Sequence, residues 1–233
     1  MGTDQGYYTL WDLRFQLPVR TWRHPGGRKI HKLVYASSNG DRECNVHACT
    51  PHDDFAAVTT WDIKHPKCLR VIRANPEAKT SPKLNPILEY ENPSIVSQYE
   101  SSTFEDRLNL VYRQKSYDPR LHSFRALLTD RSSFLITGGT DQTIRFWDLK
   151  DPKTSYIISG PKVENKAAEY TNFYDSSVEV FQENWRSRET NEKLSLRAVD
   201  THHNDTILDL KLLEHPHNML VSSSRDGVIK VFK

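Results

Sequence analysis

The chain has 233 residues, enough for one large or two small domains, and 36% hydrophobic content with a mean hydropathy of −0.69 describes a soluble protein that can bury a core. Its 32 Lys and Arg against 30 Asp and Glu leave a formal charge of +2 with no basic block, which argues against a nucleic-acid partner, because phosphate binding needs a face of many cationic contacts. No apolar run approaches the roughly 20 residues of a bilayer span, none follows Met1 as a secretory signal, and three cysteines make no disulfide framework, so a reduced, cytoplasmic setting is expected.

Read in chain order, the elements are short alternating strands separated by turns, and they repeat. Gly2-Thr3-Asp4-Gln5 leads into Leu10-Trp11-Asp12-Leu13, with strands expected near 7–10 and 18–22. A second copy places strands near 30–35, 45–49, 55–60 and 68–72, with Trp61-Asp62-Ile63 at the end of the third. The third copy repeats the opening motif as Gly139-Thr140-Asp141-Gln142 and runs into Phe146-Trp147-Asp148-Leu149, with strands near 123–128, 133–137, 143–147 and 155–159. The fourth supplies strands near 206–212, 218–223 and 228–232, its Ser222-Ser223-Ser224-Arg225-Asp226-Gly227 leading to Val228-Ile229-Lys230-Val231-Phe232.

The closing aromatics Trp11, Trp61, Trp147 and Phe232 lie 50, 86 and 85 residues apart. The first interval is near the ~40–45-residue WD40 period, and the other two are that period plus an insertion. Residues 73–119 carry five prolines, which opposes regular structure and suggests a loop, though Ser102 and Glu105 are spaced as a capping box for one short helix. Residues 160–201 are mostly polar, with 178–181 able to pair as a strand; both inserts are expected to project from the rim.

Thirteen strands are therefore expected, against roughly 28 for a ring of seven four-stranded blades. The fold class is all-β: a partial WD40 β-propeller of about three to four blades, with residues 1–233 as the C-terminal part of a seven-bladed ring.

His203, Ser222 and Asp226 have the residue types of a hydrolase triad. The structural reading is stronger, because the same spacing recurs: Thr137 to Asp141 matches Ser222 to Asp226, and Asp141 to Trp147 matches Asp226 to Phe232. No Gly-x-Ser-x-Gly is present. Trp11, Asp12, Trp61, Asp62, Thr137, Asp141, Trp147, Asp148, His203, Ser222 and Asp226 are accordingly expected to form buried networks that tie each blade together. Phe232 lacks an indole N–H, so the last network should be looser. Asp4 to Trp11 and Asp54 to Trp61 are one residue longer than the other copies, which implies a longer turn or a bulge. Cys44, His47, Cys49 and His52 resemble a zinc set, but alternation on a strand splits Cys44 from His47 and Cys49. No catalytic, cofactor-binding or metal-binding residue is assigned. Gly2 follows Met1, yet Gly6 stands where an acylation signal wants Ser or Thr.

Leu10-Trp11-Asp12-Leu13-Arg14-Phe15-Gln16-Leu17-Pro18 with His24-Pro25, Ile144-Arg145-Phe146-Trp147-Asp148-Leu149 with Ser155-Tyr156-Ile157, His202-His203, and the run Ser224 to Lys233 resemble, in order, the carboxyl end of the vacuolar protein sorting fifteen family. These are the regulatory, kinase-like subunits of class III phosphatidylinositol 3-kinase complexes. The resemblance implies a non-catalytic scaffold with no cofactor, whose partners are the lipid kinase catalytic subunit and its coiled-coil, Beclin-like subunits. It also implies peripheral association with endosomal and autophagic membranes through the complex. The family's kinase-like domain has no counterpart in these residues. The alternative is an unrelated WD40 adaptor such as a ubiquitin-ligase substrate receptor, against which the Leu13–Pro18 run argues.

Overall fold

The computed structural model describes residues 1–24, 29–37, 44–51, 56–74, 124–130, 133–161, 166–175, 177–187, 202–213 and 218–233. The five prolines of the first insert, the capping box at 102–105, His52 and Asp54 lie outside the described residues. Among those described, fifteen strands and one 3₁₀ turn (Pro152–Thr154) are found.

The strands fall into four antiparallel units in chain order. The first is a ribbon of β1 (Tyr7–Asp12) and β2 (Leu17–Arg23). In the second, β3 (Lys32–Ser37), β4 (Cys44–Pro51), β5 (Ala56–Asp62) and β6 (Lys67–Ala74) each pair with the next. The third repeats this with β7 (Phe124–Asp130), β8 (Phe134–Gly139), β9 (Ile144–Asp148) and β10 (Tyr156–Ser159). The fourth has three strands, β13 (Ile207–Leu213), β14 (Met219–Ser224) and β15 (Ile229–Phe232). Strands β7 and β3 are neighbours, as are β7 and β13, so the inner strands of successive units lie side by side, as in a propeller.

Alternation decides what lies between the sheets, since each strand sends every second side chain to one face. Tyr8 and Trp22 of the first unit meet Ala48 and Trp61 of the second. The second unit's Cys49, Val58 and Ile72 meet Phe124, Leu135 and Trp147 of the third. Ala126, Ile136 and Ile144 then meet Ile207, Leu210 and Leu220 of the fourth. The core is thus three layers between four blades, and the chain is a partial WD40 propeller.

Two strands exceed the expected thirteen. Residues 166–187 form a hairpin of β11 (Lys166–Asp175) and β12 (Val178–Ser187), paired residue for residue from Lys166↔Ser187 to Asp175↔Val178. Strand β12 then pairs in parallel with β6, from Glu179↔Arg70 to Gln182↔Arg73, extending the second blade to six strands. This places Phe181 and Tyr170 inside the layer between the second and third blades.

Candidate functional site

The expected network residues divide into two sets with different work. In the third blade Trp147 Nε1–H donates to Thr137 Oγ1 at 2.8 Å, both side chains being fully buried. In the second blade Trp61 Nε1–H donates instead to Thr59 Oγ1 at 2.9 Å, two residues back on its own strand. The register explains the exchange. Thr137 pairs with Arg145, and the corresponding pair in the second blade is Ala48 with Thr59, so the hydroxyl has moved from the second strand to the third. In the fourth blade Phe232 takes the tryptophan position, and Ser222 Oγ pairs with His203 Nε2 at 2.7 Å.

The aspartates of the Trp-Asp pairs stand outside these buried bonds, which corrects the expectation for Asp12, Asp62 and Asp148. Each caps the turn that follows it: Asp12 Oδ1 accepts from Arg14 N–H at 2.9 Å, Asp62 Oδ1 from Lys64 N–H at 2.8 Å, and Asp148 Oδ1 from Lys150 N–H at 2.8 Å. A short carboxylate bonding two residues ahead closes a turn without help from the sheet. Asp141 and Asp226 do the same in the preceding turn, toward Thr143 and Val228. In those turns Gln142 and Gly227 sit at φ of 63° and 81°, and in the first copy it is Gly6, at 79°, that holds the left-handed position.

His203, Ser222 and Asp226 do come together, with His203 Nδ1 3.6 Å from Asp226 Oδ2. Ser222 and His203 are both at 0% exposure, so no substrate reaches the hydroxyl. Both carboxylate oxygens of Asp226 are engaged, by Val228 N–H and by Asn204 N–H. Burial holds the His203 pKa below its usual value, although Asp226 pulls the other way. The set ties a blade together and does no acyl chemistry. The suspected zinc residues also disperse: His47 Nδ1 lies 2.8 Å from Thr60 Oγ1, and Cys49 is buried in the core with its thiol pKa pushed up by burial. Among the described residues no group of three or more His, Cys, Asp or Glu is placed to hold a metal.

The structure adds a charged centre that repeat spacing did not reveal. Glu183 on β12, at 0% exposure, accepts from Arg145 Nε–H at 2.5 Å and from Arg145 Nη2–H at 3.1 Å. It also accepts from Trp185 Nε1–H at 2.9 Å and from Tyr170 Oη–H at 3.4 Å. Asp141 lies 2.6 Å from the same guanidinium. Burial alone disfavours the charge on Arg145, but Asp141 and Glu183 outweigh it and raise the pKa. The hairpin of the second blade is therefore latched by charge onto the third.

Both ends of the stack present apolar side chains. Trp61 and Trp147 each face the preceding blade and are buried, whereas their counterpart Trp11 is 42% exposed and has no described sheet against it. On the fourth blade Ile229 is 68% exposed, while its counterpart Ile144 in the third is fully buried against the next blade.

Comparison with known proteins places this geometry. A model of the WD domain, G-beta repeat matches residues 122–148 and 194–233, the third and fourth blades. A serine/threonine-protein kinase VPS15 from Arabidopsis thaliana is 30% identical over an alignment covering all of this chain and 16% of that protein. A probable serine/threonine-protein kinase vps15 from Dictyostelium discoideum is 22% identical, covering all of this chain and 17% of that protein. The chain thus spans about a sixth of the length of these relatives. The crystal structure of the computationally designed Ika4 protein aligns with 99% of the chain at 13% identity and a TM-score of 0.45, too distant to bear on function.

Proposed function

We propose that this chain, a partial WD40 propeller similar over its whole length to VPS15 proteins, is a non-catalytic scaffold segment of a class III phosphatidylinositol 3-kinase regulatory subunit. The observation that carries the reading is the whole-length similarity, joined to a fold whose polar clusters are consumed by its own architecture. The matched repeats are WD40 rather than kinase, and His203 and Ser222 of the triad-like set are sealed from solvent. What remains available is surface, and propellers work through surface.

In this reading the segment supports assembly of the lipid kinase with its coiled-coil, Beclin-like subunits in autophagy and in endosomal and vacuolar sorting. It reaches those membranes through the complex; no helix among the described residues is long and apolar enough to cross one. The exposed faces of Trp11 and Ile229 are blade-stacking surfaces, which further blades of the same ring would cover. A protein bearing this segment, tagged and recovered from cells, should bring down the lipid kinase and the coiled-coil subunits together. Recovery of neither would refute the assignment.

A further inference from the structure

The turn joining β1 to β2 differs from its counterparts in a way that blade stacking does not explain. Its alignment is fixed by the Asp caps: Asp12, Asp62 and Asp148 are followed by Leu13, Ile63 and Leu149, then by Arg14, Lys64 and Lys150. Leu149 is buried against the second blade, so the exposure of Leu13 belongs with that of Trp11 to an uncovered stacking face. The next positions are solvent-facing in every copy. There the second blade has His65 and the third Asp151, both exposed, but the first has Phe15 at 68% exposure. Two residues on, Leu17 is 61% exposed where Lys67 stands in the second blade, opposite the capping aspartate in both sheets. Two polar positions at a turn tip have become apolar.

The surroundings are cationic. The Arg14 guanidinium lies 5.4 Å from the Phe15 ring centre, with its side chain 81% exposed, and its charge is paired by the Asp12 carboxylate through Nε–H at 3.1 Å and Nη2–H at 2.7 Å. Arg20 of β2 donates to the backbone carbonyl of Lys64, which ties β2 to the second blade's turn, where Lys64 and Lys67 are exposed. Asp12 and Asp62 are the capping carboxylates there and are mostly covered, at 23% side-chain exposure each.

We propose that the 13–17 turn is a docking tip for an acidic amphipathic helix of a partner protein. Phe15 and Leu17 enter its apolar stripe, and Arg20, Lys64 and Lys67 meet its flanking carboxylates. Such a helix offers apolar neighbours about 5–6 Å apart between charged rows, which suits two anchors inside a cationic rim. An anionic bilayer shares the charge but not the scale: even a whole myristoyl chain binds a membrane only marginally, whereas a protein contact concentrates its energy in a few anchors. The proposal rests on the scaffold reading and names the kind of partner surface that one turn takes.

The test uses the full chain immobilised at low density. The probes are a synthetic heptad peptide with leucine at the seam and glutamate beside it, the same peptide with lysine in place of glutamate, and phosphatidylserine vesicles. The variant Phe15→His with Leu17→Lys restores the second blade's residues and alters only exposed side chains. The glutamate peptide should bind, and the double variant should weaken it about tenfold or more. Lys64→Glu, on the neighbouring turn, should weaken the glutamate peptide and favour the lysine one. No binding of the glutamate peptide, equal affinity for the double variant, or tighter binding to vesicles than to peptide would each overturn the proposal. Coprecipitation from cells separates the two claims. Partners recovered equally by parent and variant remove the tip and leave the scaffold, while partners recovered by neither remove the scaffold.

Discussion

Replacing Glu183 by leucine tests whether the β11–β12 hairpin is part of the blade core. The side chain is at 0% exposure and serves four donors: Arg145 Nε–H and Nη2–H, Trp185 Nε1–H and Tyr170 Oη–H. Removing one member of a buried ion pair costs about 3–5 kcal/mol, because the other charge is left without its partner in a low dielectric. Asp141, 2.6 Å from Arg145 and with its side chain 27% exposed, still supplies a counter-charge and holds the loss toward the lower end. Asp141→Ala, which leaves Glu183 in place, should cost less, about 1–3 kcal/mol. Changing Arg145 to methionine together with Glu183 to leucine should recover most of the loss, since a well-packed apolar pair can equal a buried ionic one. Urea denaturation followed by tryptophan fluorescence measures the cycle, and amide exchange along β12 locates it. A Glu183→Leu chain within about 0.5 kcal/mol of the parent, or two single costs that simply add, would mean the hairpin hangs free of the third blade.

Acid should weaken the fold through its buried histidines. Burial, followed by the charges of Arg125 and Lys29 for His31 and of Arg70 for His47, lowers both pKa values to about 4, while an unfolded histidine titrates near 6.5. Between those values the unfolded chain binds more protons, so stability is present above about pH 6.5 and falls by up to about 1.4 kcal/mol per pH unit per histidine toward pH 4. A urea midpoint unchanged across that window contradicts this, and His47→Gln should flatten the slope. Gly138→Ala should cost about 1–3 kcal/mol, because the new methyl would stand 2.4 Å from Ile207 Cγ2 and wedge the third blade from the fourth. Trimming Ile207 to alanine in the same chain should relieve part of that strain, and strictly additive losses in calorimetry would rule the wedge out. With Trp11, Val19, Ile229 and Val231 exposed at its two ends, the isolated chain should self-associate, and a sharp monomer in analytical ultracentrifugation would count against open stacking faces.

The blades were legible in the sequence because their signals are local. Asp141-Gln142 and Asp226-Gly227 mark the same turn, and alternation such as Ile144, Phe146 against Arg145, Trp147 fixes the faces. The hydrogen-bonding of Trp147 to Thr137 follows from that register. Other features depend on pairings no local pattern carries. Residues 178–181 can be read as a strand, but nothing in them says that β12 lies parallel to β6, more than a hundred residues earlier. Glu183 sits between Phe181 and Trp185 on one face, an acid in an apolar row, and that was the available sign that a buried cation awaited it. The exchange of the hydroxyl from Thr137 to Thr59 was hidden because Thr59 and Trp61 form their pair within one strand, where the repeat pattern looks for two. The Trp-Asp dipeptide suggests that both of its residues join the buried network, yet adjacent residues on a strand face opposite ways. Trp147 goes inward and Asp148 turns to the loop.

On the proposed scaffold reading, this segment holds a complex together without contributing catalysis. It is tested most directly by deleting residues 1–233 from the full-length protein and measuring quantitative recovery of each partner. The coiled-coil subunits should be lost more than the lipid kinase, whose output on membranes should then fall. Equal recovery of every partner with and without the segment would contradict it.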